Sequence, residues 1–105
     1  MIKWYDNLYV DSYMKKKRKK IKKQMDAGKF TLNVYCIAFA SDGTNLFDIM
    51  NTNELLFQHY KKQDIRILGL AFGRESAILL VKEMVEEIYR NTGGFQVREY
   101  FVFRD

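Results

Sequence analysis

The sequence predicts an α/β sandwich of two or three layers, built on a three-stranded, mainly parallel sheet with αβαβαβ connectivity. Three observations carry this expectation. Two apolar runs, TLNVYCIAFA (31–40) and IRILGLAF (65–72), have the length and β-branched content of strands covered on both faces. Segments with helical spacing of apolar residues separate the runs. A last run, FQVREYFVF (95–103), alternates like an edge strand with one wet face. Strands alternating with helices imply parallel pairing through right-handed crossovers. The order 2-1-3 is preferred because it centres the most apolar strand, 31–40; the order 1-2-3 would leave one face for the N-terminal helix to cover.

Each element has a local reason. Residues 2–10 hold Trp4, Tyr5, Leu8, Tyr9 and Val10, so they should lie against the core as an irregular strand or short turn. Residues 12–27 should form a helix, capped by Asp11 or Ser12 and stopped by Gly28. Its apolar stripe (Met14, Ile21, Met25 and the stem of Arg18) is narrow, as on a helix lying at the surface. After the SDGTN turn, 45–60 reads as helix in two pieces. Thr44 or Asn45 caps the first, and the Asn51–Glu54 capping signal restarts the second. Gly73 then turns the chain into a helix over 75–91, whose broad face is Ala77, Ile78, Val81, Met84, Val85 and Ile88. Asn91-Thr92-Gly93-Gly94 stops it.

Composition excludes several chemistries. The chain has 105 residues, 48% of them apolar and 15% aromatic, which fits one domain spanning 1–105. Such a length buries about two-thirds of the unfolded surface, enough for a core without staples. Cys36 is the single cysteine and sits in an apolar run, so it reads as a buried, inert thiol and no internal disulfide can form. His59, the single histidine, reads as a helix-end residue, and one Cys with one His argues against a structural zinc site. No apolar run approaches the ~20 residues of a membrane span. MIKWYDNLYV lacks the pattern of a signal peptide, so a cytoplasmic location is expected. Phosphate-loop and dinucleotide fingerprints are absent, no cofactor is implied, and no motif supplies a nucleophile, base and orienter together.

Charge is the compositional outlier. Lys15, Lys16, Lys17, Arg18, Lys19, Lys20, Lys22 and Lys23 carry +8, while the whole chain carries +5. A helix with this density can lie along a phosphate backbone and release counterions. It can also face an anionic membrane surface, though it lacks the apolar face of an interfacial helix, or meet an acidic protein. Trp4, Tyr5 or Tyr9 could stack on bases if exposed. A second candidate follows from the predicted sheet. Asp42 and Thr44 would sit in the loop after strand 31–40, and Arg74 and Ser76 in the loop after strand 65–72. Together they would form a crevice for a small anion at two helix N-termini, although caps and turn residues of the same types are ordinary.

The start WYDNLYV, the basic helix, LGLAFGRESAILLVKEMVEEIY and GGFQVREYF together resemble a group of small uncharacterised bacterial α/β proteins. That resemblance brings no activity and assigns no site residue. The sequence thus points to a non-enzymatic binding module whose basic helix contacts a polyanion, nucleic acid first among them. The alternatives are a protein-interaction module or homodimer formed through edge strand 95–103, and a small-anion site at the crevice.

Overall fold

The apolar runs do form strands, but the sheet is four-stranded and mixed rather than three-stranded and mainly parallel. The computed structural model describes residues 2–41, 44–57 and 64–104. Its elements are β1 (Ile2–Val10), α1 (Arg18–Asp26), β2 (Val34–Phe39), β3 (Phe47–Asn51), a 3-10 helix (Thr52–Leu56), β4 (Ile65–Phe72), α2 (Arg74–Thr92) and α3 (Val97–Tyr100). The sheet order is β1-β4-β2-β3. β1 runs parallel to β4, whereas β2 is antiparallel to both β4 and β3.

Three local differences produce this topology. Residues 2–10 are a full strand, irregular between Trp4 and Tyr9, where the register on β4 advances only from Ile67 to Gly69. Residues 47–51, expected as helix, form a hairpin partner of β2, with Phe47 opposite Phe39 and Asn51 opposite Tyr35. The capping signal beyond them is real: Asn51 accepts from the Asn53 N–H, and Glu54 accepts from the Asn51 N–H, both at 2.9 Å. It starts a short 3-10 helix instead of an α-helix. Finally, residues 97–100 of the expected edge strand are helical.

β4 is covered on both faces, and its residues alternate between two cores. Leu68 and Ala71 face a layer made by α2 and α3, with Ala77, Leu80, Met84, Ile88, Val97 and Phe101. Ile67 and Leu70 face the opposite layer with Val34, Cys36, Leu55, and Ile21 and Met25 of α1. The alternation slips once. Ile37 pairs with Gly69 and Ala38 with Ile67, so Leu68 is the extra residue of a β-bulge. A Cβ at Gly69 would come within 3.2 Å of both the Tyr9 carbonyl oxygen and Ile37 Cδ1, so glycine permits the close approach of three elements there.

Phe101 is the hub of the α2-side core. Its ring meets Tyr5 and Tyr9 at 5.8 Å, Phe47 at 5.9 Å and Tyr100 at 4.8 Å, with interplanar angles of 64–84°. Edge-on contacts of this kind match the ring quadrupoles. Above the hub, the hydroxyls of Tyr9 and Tyr100 both donate to Glu87 Oε2, at 2.5 and 2.9 Å. Just beyond β1, Asp11 ties β4 to the turn that follows. One of its carboxylate oxygens accepts from the Phe72 N–H (2.8 Å) and the other from the Met14 N–H (2.9 Å). Asp11 therefore closes the turns over 12–17 and does not cap the helix, which starts only at Arg18.

Two substitutions test this packing in urea unfolding. Phe101→Ala should lower stability by about 3–5 kcal/mol, the range for deleting a buried aromatic ring. Gly69→Ala should cost about 1–3 kcal/mol by overpacking against a backbone oxygen.

Candidate functional site

The basic segment is held by one apolar edge. Ile21 and Met25 of α1 are buried against the sheet, while Lys15 to Lys20 and Lys23 are exposed. Lys15, Lys16 and Lys17 lie in the turns before the helix, and Arg18, Lys19, Lys20, Lys22 and Lys23 lie on it. The first turn contains no acidic residue, and Lys17 makes no side-chain cap. Cations at a helix N-terminus oppose the macrodipole, so tertiary docking must hold the helix in place. Trp4 supplies part of that docking: its indole N–H donates to Asp26 Oδ1 at 3.0 Å, and Lys22 Nζ lies 5.3 Å from its ring centre. Lys17 Nζ donates to Tyr13 Oη at 2.8 Å, and Tyr13 in turn stacks on Phe72 at 4.2 Å.

Lys29, outside the predicted run, joins the surface. With Lys19, Lys20, Lys23, Gln24 and Ala27 it lines an open depression of about 610 Å³. The aromatic residues of β1 do not. Trp4 is half-buried against α1, whereas Tyr5 and Tyr9 lie on the opposite face of the sheet around Phe101. All three, named above as candidates for base stacking, take part in packing: Trp4 docks α1, and Tyr5 and Tyr9 join the aromatic core. Sequence reasoning missed Phe30 and Leu32, which follow Lys29 and remain 77% and 84% exposed. The signal was present as two apolar residues flanking Thr31 just after a helix-ending glycine.

The predicted anion crevice is not assembled. Because β2 is antiparallel to β4, Thr44 lies in the β2–β3 connection at one end of the sheet, and Arg74 and Ser76 open α2 at the other. The six residues of β2 separate the two ends by roughly 20 Å at strand rise. Asp42 and His59 fall outside the described residues. Ser76 instead lines a cleft of about 370 Å³ with Asp11, Lys15 and Glu83. The edge strand expected over 95–103 is absent, since residues 97–100 form α3.

A cavity of about 390 Å³ lies at the Thr44 end of the sheet, lined by Ser41, Asp48, Asp64, Arg66 and Arg98 among others. Several of these polar groups serve the fold. Arg98 donates to the Ala40 carbonyl at 3.0 Å and lies over Phe39, Arg66 lies over Phe103, and Asp48 accepts from the Ser41 N–H at 3.1 Å. Among the described residues, no group of three His, Cys, Asp or Glu side chains could hold a metal, and no helix is long and apolar enough to cross a membrane. No family model matches the chain, and neither a curated protein nor a solved structure gives a significant match.

Cys36 is fully buried, and burial pushes its thiol up to about 12. Burial, followed by the bond to Glu87, raises the Tyr9 hydroxyl as well. Both groups are therefore held protonated by folding. Their contribution to stability is complete below pH 9, the thiol's reference value, and is lost as pH climbs through the folded values. The urea midpoint should fall steadily above pH 9, and Cys36→Ala should flatten the first part of that fall. At pH 8 a thiol reagent should label Cys36 only at the rate of global unfolding; rapid labelling of the native protein would contradict the burial.

Proposed function

We propose that this protein is a non-enzymatic binding module that docks a polyanion on the outer face of α1 and the turn before it. The observation that carries this reading is the one-sided attachment of the basic segment. Ile21 and Met25 hold the helix to the sheet, while seven of the eight cations in the segment 15–23 stay exposed, and Lys19, Lys20 and Lys23 among them line an open depression. The cationic face also disfavours its own helix at the N-terminus. An anionic partner relieves that repulsion and gains entropy from released counterions. On a nucleic acid this surface would contact phosphates, in keeping with a sequence-independent mode of binding.

The test is retention on immobilised heparin as a function of salt. The wild type should bind at low salt and elute as salt rises. Lys19→Gln/Lys20→Gln/Lys23→Gln should elute markedly earlier, with the slope of log K against log salt smaller by about 2–3. All three positions are exposed, so the variant's melting temperature should stay near that of the wild type. A flat salt response, or an unchanged slope in the variant, would overturn the reading.

A further inference from the structure

Beside the lysines the structure holds two apolar side chains out in water. The segment that follows α1 is tied down at both ends. Gly28 takes a left-handed conformation (φ 70°), its N–H donates to the Met25 carbonyl, and the Lys29 N–H donates to the Gln24 carbonyl. Thr31 turns inward and is buried. Its N–H donates to Asn53 Oδ1 at 2.8 Å, its carbonyl accepts from Asn53 Nδ2 at 2.9 Å, and its hydroxyl meets that of Thr52. Asn33 then accepts from the Gly73 N–H at 2.8 Å. Thr31 is fixed inward, whereas Phe30 and Leu32 on either side of it are exposed. Phe57, 65% exposed, ends the 3-10 helix to which Thr31 is bonded.

We infer that the polyanion is an anionic lipid surface, on which the α1 lysines rest while Phe30 and Leu32 enter the acyl boundary. This inference rests on the polyanion reading above and names its partner. Charge complementarity selects the anionic surface, because Lys19, Lys20, Lys23 and Lys29 line one depression and Phe30 is the next residue in the chain. Leu32 decides between polyanions. A base stack needs a π face, which leucine lacks, whereas Phe and Leu both partition into acyl chains. The outer face of α1 has no apolar stripe of its own, and the fixed segment after it supplies the missing apolar contact. Long lysine stems can lie along the headgroups while their charges meet phosphate.

The experiment is co-sedimentation of the full chain with vesicles of phosphatidylcholine alone or mixed with phosphatidylglycerol, alongside heparin retention and binding to duplex DNA and RNA. The wild type should sediment with the mixed vesicles and not with phosphatidylcholine alone. Phe30→Ala/Leu32→Ala should partition about tenfold or more weaker yet elute from heparin at the wild-type salt. Both positions are exposed, so circular dichroism should show an unchanged fold. Vesicle binding unaffected by the double substitution would overturn the lipid inference while leaving the polyanion reading intact. So would duplex binding without vesicle binding, or a dimer in sedimentation velocity that the substitution abolishes. Absence of heparin retention in the wild type would remove both.

Discussion

The two-sided burial of β4 is the constraint on which the molecule depends. Ile67, Leu68, Leu70 and Ala71 are all fully buried, so the sheet needs apolar cover above and below. α2 and α3 provide one layer. The second layer falls to a helix with few apolar residues to give, and Ile21 and Met25 are what it gives. Because those two must face the sheet, the cations around them face water, apart from Lys22, which is half-buried beside Trp4. The orientation of the basic surface is therefore a by-product of covering the central strand, and the same docking positions the Gly28–Asn33 segment beside it.

The sequence was legible where one period had no rival. The fully apolar IRILGLAF could be a buried strand, and the 75–91 pattern was too long and regular to be anything but a helix. Errors arose where two periods share a spacing. Val97 and Phe101 are four apart, which places them on one face both in a strand and in a helix. The chain chose the helix because a short plug could bring both into the aromatic core beneath β1 and β3. In 46–50, Leu46, Ile49 and Met50 fit a helical face. Pairing with β2 sets Phe47 and Ile49 on one face and Asp48 and Met50 on the other, which is the strand period.

That single misassignment propagated. With a hairpin partner in place of a crossover helix, the chain reverses after β2, and β4 returns antiparallel to it. β1 then takes the free edge of β4 and supplies the parallel pair. The anion crevice depended wholly on parallel strands and so could not survive. The lysine run depended only on composition and kept its place at the surface, shortened as a helix by the Asp11 turns. The apolar neighbours of that run are hidden for a different reason: TLN continues the apolar run of a strand, whereas the Thr31–Asn53 bonds and the left-handed Asn33 delay the strand to Val34.

The parallel pairing of β1 with β4 also sets a timetable. Ile2 pairs with Ile65 and Val10 with Leu70, so β1 is synthesised well before the strand it pairs with. In that interval Trp4, Tyr5, Tyr9 and their strand edge have no partner, a state prone to association between nascent chains. The lysine run begins five residues after that strand, and dense like charge beside an apolar strand disfavours pairing between two such chains.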